Sequence, residues 1–355
     1  MKPTQIVDLF AGPGGLDVAA ELLGISTIGL EWSSAACKTR RAAGLETKEG
    51  DVRSRCPEDF PDASILTGGP PCQTFTVAGT GSGRKALDDV LQYLDLMLEA
   101  KDVHELKNIQ EDLSNKSEER TGLVLEPLRW ALHAVMEGNP YNTIVLEQVP
   151  AVLPVWQAYR RALESKGYKA DCGILRAEQF GVPQTRRRAV LIARLCDDPV
   201  SLPLPTHRPY QKGVPQNEGD TSLAPWRSMT DILPHKGEFY VISNYGTGGN
   251  PRDRGRRDHR EPSATVTGKI FRNRLCRPDG TELGRFSPEE AGILQSFPPK
   301  YPWRGQDTGQ QIGNAVPPRL GMHILCAALG RSAPSEEELS GLEKDWDRGE
   351  PASNL

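Results

Sequence analysis

Up to residue 198 the chain alternates two hydrophobic patterns. Short apolar runs lie at 6–10 (Ile6, Val7, Leu9 and Phe10 around Asp8), 27–30, 64–67 and 143–146. Runs of that length, bounded by glycine and proline, read as strands buried on both faces. Between them, helices are expected over 17–23, 34–43, 122–136 and 152–166, with further strands at 169–176 and 189–193. Strands alternating with helices predict a parallel sheet covered on both sides. The expected fold is α/β: a Rossmann-like, doubly wound, mostly parallel sheet with helices on both faces, in a domain spanning 1–198.

Two stretches depart from this rhythm. Over about 86–119, Leu87, Leu91, Leu94 and Leu98, then Val103, Leu106, Ile109 and Leu113, repeat at helical spacing. This predicts an amphipathic helical insertion whose role is packing. From 199 to 285 the periodicity is lost among prolines (Pro199, Pro203, Pro205, Pro209, Pro215, Pro225, Pro234) and a glycine-rich run at 246–249. A smaller, loop-rich domain is expected there. Helical signals resume at Ser287-Pro288-Glu289-Glu290, a capping box with proline at the first helical position. The segment 286–330 should return to the first domain as helices, and the polar tail 331–355 should be unstructured.

Composition narrows the classes. A net charge of −4, 37% hydrophobic residues and a mean hydropathy of −0.49 describe a globular chain. No apolar run approaches the roughly 20 residues of a membrane span. The first residues enter a strand pattern directly, so no leader and no membrane association are expected. Seven scattered cysteines without a C-x-x-C pair argue against zinc and disulfides. The expected location is cytoplasmic, nucleoid-associated if the partner is DNA. One segment, 250–277, is basic, with Arg252, Arg254, Arg256, Arg257, Arg260, Lys269, Arg272, Arg274 and Arg277. It is either an electrostatic footprint or a solvated loop.

The candidate chemistry gathers at predicted C-terminal strand ends, where open α/β sheets bind ligands. After the first strand, Ala11-Gly12-Pro13-Gly14-Gly15-Leu16 forms a glycine turn opening a helix, without the third glycine of a dinucleotide fingerprint. Glu31 ends the second strand and can accept from ribose hydroxyls, and Trp32 beside it can stack on a purine. Asp51, followed by Val52, could accept from an adenine amino group. Together these favour an adenosine-bearing cofactor. Cys72 follows Gly68-Gly69-Pro70-Pro71, which stops a strand and makes a stiff turn. It is either a nucleophile or a buried free cysteine. Glu147 closes the 143–146 run, and alternation should send Arg186 and Arg188 to one face and Arg187 to the other.

From 6 to about 329 the chain resembles the cytosine-5 DNA methyltransferases of bacterial type. DLFAGPGG (Asp8 to Gly15), PPCQ (Pro70 to Gln73), LEQV (Leu146 to Val149), FGVPQTRRRAVLIA (Phe180 to Ala193), REPSATVTG (Arg260 to Gly268) and QQIGNAVPP (Gln310 to Pro318) stand in the family's order. The resemblance implies S-adenosylmethionine as methyl donor, no metal, double-stranded DNA as partner and, in some settings, a cognate restriction endonuclease. It implies a cofactor site of Asp8, Phe10, Ala11, Gly12, Gly14, Gly15, Leu16, Glu31, Trp32, Asp51, Val52, Pro70, Asn314 and Ala315. Its catalytic set would be Cys72 adding to carbon 6 of a flipped cytosine, Glu147 at ring nitrogen 3, Arg188 at the carbonyl oxygen, and Arg186 supporting the loop and the thiolate. The module at 199–285 would read the target, chiefly through roughly 199–260. One departure stands out: the family's Glu-Asn-Val reads Glu147-Gln148-Val149, and the asparagine normally ties the Pro-Cys loop. An RNA-directed member of the family would share all of this chemistry. A nicotinamide oxidoreductase would explain the first turn and Glu31 but not PPCQ or the arginine motif.

Overall fold

The computed structural model describes residues 4–71, 81–116, 122–244 and 255–348. Its main sheet consists of β1 (Gln5–Leu9), β2 (Ser26–Glu31), β3 (Thr47–Glu49), β4 (Ile65–Gly68), β5 (Thr143–Gln148), β6 (Lys169–Arg176) and β8 (Arg187–Arg194). The short β7 (Gln184–Thr185) lies outside it. The strand order is β3-β2-β1-β4-β5-β8-β6, parallel except for β8, which runs against both its neighbours. The chain winds outward from β1 in one direction and from β4 in the other. A crevice therefore opens at the C-terminal ends of this adjacent pair.

Side-chain alternation explains the layers. Ile6, Ile65, Val145, Val190 and Ile192 face α1 (Gly15–Leu22) and α10 (Pro318–Ala328). Val7, Leu9, Leu66, Ile144, Leu146 and Leu191 face the other way. That side is covered by α3 (Gly81–Glu99), α4 (Val103–Lys116), α5 (Glu126–Met136) and α6 (Leu153–Glu164). The amphipathic stretch expected as an insertion thus supplies core: Val90, Leu94, Met97, Leu106 and Leu113 are all buried in this cluster. At the β3 edge, α2 (Ser34–Ala42) packs on β2 and β3.

The smaller module is built on an antiparallel sheet, β10 (Arg256–Asp258), β9 (Tyr240–Ile242), β12 (Arg274–Cys276) and β13 (Glu282–Gly284) in that spatial order. Its core joins Phe239, Val241 and Leu275 to Met229 and Leu233, around α7 (Met229–Ile232). Phe286, Ala291, Leu294 and Ile312 close the same core. Hence α8 (Pro288–Leu294) and α9 (Thr308–Asn314) build the smaller module, whereas α10 alone returns to cover the main sheet. The expected capping box is present: Ser287 Oγ accepts from Glu290 N, and Glu290 Oε2 accepts from Ser287 N. A parallel pairing of β7 with β11 (Ser263–Ala264) joins the two parts.

The tail corrects an expectation. Residues 331–348 are ordered, with α11 (Glu336–Ser340) capped by Ser335. Leu339 and Leu342 enter the cluster that holds Ile6 and Val18, and Trp346 Nε1 donates to Ala43 O at 3.0 Å. Three apolar anchors among many charges are enough to dock a segment, although its mean polarity reads as tail. Residues 349–355 lie outside the described part.

Two buried histidines give the fold a pH signature. His207 is held down at about 4 and His323, on α10, at about 3. Burial is the main cause for both, and Arg319 adds repulsion. Both are neutral when folded, whereas unfolded imidazoles take protons near about 6.5. Stability is therefore complete above about 6.5 and is lost as pH falls towards about 4, at up to about 1.4 kcal/mol per pH unit per group. Urea unfolding at pH 7 and pH 5 should show this loss. His207→Phe/His323→Leu should flatten it, and an unchanged slope in that variant would refute the assignment.

Candidate active site

The glycine turn leaves β1 through left-handed backbone. Phe10 takes a left-handed φ of 59°, an uncommon strain in a non-glycine residue. Gly12 and Gly14 follow at 55° and 102°. Gly15 lies so close to Val316 that a Cβ would sit 2.1 Å from its carbonyl oxygen. This contact brings QQIGNAVPP onto the turn although some 300 residues separate them (from 15 to 316). Tyr301 adds a second tie, donating to Pro13 O at 2.5 Å.

Glu31 braces the turn from the tip of β2. One carboxylate oxygen accepts from Gly12 N at 2.8 Å and the other from Ser33 N at 2.7 Å. Each oxygen keeps a further lone pair for a ligand. Trp32, next in sequence, is 64% exposed, so its indole face is free to stack. Asp51 caps a short helical turn and is held by Arg53 through its backbone N and guanidinium. Partial burial opposes ionisation, but these hydrogen bonds keep its carboxyl below the usual range. The Val52 side chain is in the core, and its carbonyl oxygen accepts from Arg129 Nη2 and Trp130 Nε1.

Several expected cofactor residues act from beneath. Asp8 is buried and accepts from Thr67 Oγ1 at 2.5 Å. Burial and then the neighbouring Asp17 push its carboxyl well up. The Leu16 side chain packs towards Gly321 of α10. Ala11 contributes backbone, receiving Arg40 Nη1 at 3.5 Å. Asn314 is exposed and accepts from Gln310 Nε2 at 2.7 Å, while Ala315 O accepts from Gln295 and Arg186.

Reading single strands missed one pair altogether. Arg40 on α2 meets Asp17 on α1 through two 2.7 Å bonds, both side chains fully buried. Its Nη2 also donates to Glu46 O and its Nε to Thr47 Oγ1. Gly29 lies under the guanidinium, where a Cβ would come within 1.8 Å of Nη2. This ion pair is the floor of the glycine turn. Nothing in the sequence sets Arg40 apart from its charged neighbours Lys38 and Arg41, so the pair emerges only in the fold.

The second half of the site lies on β4, β5 and β8. Glu147 is buried at the end of β5, and Arg188 Nε on β8 lies 2.8 Å from its Oε1. Burial at the strand end is as expected; the neighbour is a guanidinium. Burial draws the Arg188 guanidinium down while Glu147 supports its charge. A Cβ on Gly69 would come within 3.9 Å of Glu147 Oε2, so the loop leaving β4 runs directly past the carboxylate. Gln148 ties that loop: its Nε2 donates to Pro70 O at 2.5 Å, and its Oε1 accepts from Val149 N. The extra methylene is absorbed by turning the amide back on its own chain. Cys72 lies outside the described residues.

Arg186, expected to support the loop and the thiolate, is held by backbone carbonyls of the last motifs. It is 1% exposed and donates to Val266 O, Gly313 O and Ala315 O at 3.0–3.1 Å. It clamps the last motifs to β7 and β8 as a positioning residue. Arg187 is exposed, as alternation requires. In the smaller module Arg256 stacks on Tyr240 at 3.4 Å, whereas Arg257 turns inward over Tyr210 and donates to Thr185 Oγ1. Arg252, Arg254, Tyr245 and Asn250 lie outside the described residues. Among the described residues no cluster of metal-ligating side chains occurs, and no helix is long and apolar enough to cross a membrane.

This arrangement has known counterparts. The family model described as C-5 cytosine-specific DNA methylase matches residues 4–99 and 142–329. The type II methyltransferase M.NgoFVII of Neisseria gonorrhoeae is 26% identical over 97% of this chain and 91% of its own. M1.HphI of Haemophilus parahaemolyticus is also 26% identical, over 91% and 86%. Among solved structures, the Dnmt2 methyltransferase of S. pombe superposes with a TM-score of 0.59 at 17% identity, covering 92% of this chain and 98% of its own.

Proposed function

The chain belongs to the C-5 cytosine-specific DNA methylase family and is a DNA cytosine-5 methyltransferase, and from that premise we propose that its methyl donor is S-adenosylmethionine and its nucleophile Cys72. The observation that carries this reading is the Glu147–Arg188 pair, 2.8 Å apart on adjacent strands and beside the Gly69-Pro70 loop. It is an acid and a cation prepared for one polar ring edge, beside the loop that leads in sequence to Cys72.

The donor fits the first half of the site: the left-handed glycine turn, Glu31 with lone pairs to spare, and the open Trp32 face supply backbone contact, ribose acceptors and a stacking surface. When bound, S-adenosylmethionine supplies an electrophilic methyl group. The chain's own residues prepare the acceptor. Carbon 5 of cytosine is a weak nucleophile until a thiolate adds to carbon 6. Cys72 makes that bond, and Glu147 holds a proton at ring nitrogen 3 so that the electron pair does not remain as a ring anion. Arg188 faces the carbonyl oxygen, where residual negative charge collects. After methylation the carbon-5 proton leaves, the carbon 5–carbon 6 double bond re-forms and Cys72 is expelled. A base inside the duplex is out of reach, so the cytosine must flip out, at a cost of a few kcal/mol.

The smaller module at 199–285 reads the target in this proposal. Arg256, exposed on the edge strand β10 and pre-stacked on Tyr240, is the described arginine best placed to reach DNA, while Arg257 serves packing. A cognate restriction endonuclease is part of the same proposal, since the relatives named above are type II methyltransferases.

The test is methyl transfer from labelled S-adenosylmethionine to DNA and, in parallel, to RNA, followed by base-resolution mapping. Methylated cytosine at one recurring DNA sequence is expected. Transfer to RNA alone would replace the DNA reading with the RNA-directed one.

Gln148 offers a finer check. Gln148→Ala removes the bond to Pro70 and frees the loop that carries Cys72. Single-turnover methyl transfer should fall about tenfold, roughly the worth of one such hydrogen bond, with S-adenosylmethionine affinity unchanged. An unaltered rate would show that the loop is held by other means.

A further inference from the structure

A cavity of about 370 Å³ lies between the 206–227 stretch, α10 and the C-terminal segment, outside the residues assigned above. Its titratable lining is Arg227, Arg319, His207, His323, Glu336 and Glu343. Arg227 Nη1 lies 2.8 Å from Glu343 Oε1, and Arg319 Nη1 lies 3.9 Å from the same oxygen. Glu343 is more than half exposed, at 56%, and sits near the end of the docked tail. Arg319 is itself buried and anchored, its Nε donating to Phe180 O at 3.2 Å. Two guanidinium groups thus converge on a single carboxylate oxygen that solvent can reach.

His323 is the second, independent observation. It is 2% exposed, and neither ring nitrogen has a hydrogen-bond partner among the described residues. The ring also lines an adjoining cavity of about 410 Å³, together with Arg194 and Arg331. Buried polar groups are ordinarily paired, and an idle one bordering a cavity calls for a ligand or ordered water. Anchored guanidinium donors beside an idle imidazole match the needs of an oxyanion, which takes several charge-assisted hydrogen bonds at once.

We propose that this cavity binds a small tetrahedral oxyanion, inorganic phosphate or a phosphomonoester, which replaces the Glu343 carboxylate between Arg227 and Arg319 and is met by His323. Arg227 belongs to the smaller module, Arg319 to α10 and Glu343 to the tail. The ligand therefore takes over a contact that joins three parts of the fold.

Titration calorimetry of the full chain with inorganic phosphate at low ionic strength tests this. One saturable site per chain is expected. Arg227→Gln should weaken binding at least tenfold, and His323→Leu should weaken it in protein that still melts cooperatively. Glu343→Gln should tighten binding several-fold by removing the internal competitor, whereas Glu337→Gln on the exposed side of α11 should not. Glycerol phosphate in a parallel titration separates the sources: tighter binding assigns the site to a phosphomonoester, weaker binding to the free ion. Absence of saturable binding overturns the proposal. So does equal tightening by Glu337→Gln, which would mark a diffuse charge effect, or undiminished binding by Arg227→Gln.

Discussion

Cys72→Ala is expected to reduce methyl transfer to background and to abolish covalent capture of DNA carrying 5-fluorocytosine. Fluorine at carbon 5 cannot leave as a proton, so once the methyl group has been transferred the elimination that would expel the thiolate from carbon 6 is blocked. Cys37, Cys56 and Cys172 are poor rivals. Cys37 is fully buried on α2 and pushed up to about 11 by burial, then by Glu49 and Glu31. Cys56 is likewise pushed up to about 11 by burial and Glu58, and burial raises Cys172. A nucleophile must be a thiolate, which these environments disfavour. Glu147→Gln should give a different outcome from Cys72→Ala. It keeps the shape and a hydrogen bond but cannot exchange a proton, so capture should persist while turnover falls about 10²–10⁴-fold. A denaturing gel of the captured complex reads both variants. Capture surviving in Cys72→Ala, through Cys37 or Cys172, would sink the assignment.

The largest effect on stability is expected from Asp17→Asn. The change leaves the Arg40 guanidinium buried without its counter-charge, and breaking one partner of a buried pair costs about 3–5 kcal/mol. The cost is large because Arg40 cannot move out: Gly29, Ala11 O, Glu46 O and Thr47 enclose it. The glycine turn above it should loosen too, so S-adenosylmethionine affinity should fall in protein that remains folded. Asp8 is the neighbouring carboxyl that supports Arg40 at longer range. Asp8→Asn added to Asp17→Asn should therefore destabilise further. Denaturant unfolding of both variants gives the energies. An Asp17→Asn midpoint equal to that of the parent protein would show that the pair contributes nothing.

Much of this protein is determined by local chemistry. Short continuous apolar runs and amphipathic stretches at period 3.6 dictate β1, β2, β4, β5 and β8 and the helices between them. Turn residues dictate where those strands stop, which places Glu31, Pro70 and Glu147 at one end of the sheet. Ser287-Pro288-Glu289-Glu290 dictates the start of α8 through bonds made within four residues. The resemblance carried by the motifs added the roles of Cys72, Glu147 and Arg188, which periodicity alone left open.

What tertiary structure decided depends on contacts distant in sequence. Gly15 needs no side chain because Val316 O is 2.1 Å from where a Cβ would be. Arg186 reads as a catalytic arginine in its motif, yet three carbonyls from residues 266, 313 and 315 claim it. Gln148 departs from the family's asparagine, and only the position of Pro70 O shows that the longer amide still reaches. The tail reads as disordered because polar and charged residues dominate it, but Leu339, Leu342 and Trp346 find apolar and carbonyl partners on surfaces that exist only after the sheet has formed. Burial and long-range hydrogen bonding are properties of the assembled chain, and these residues took their roles from them.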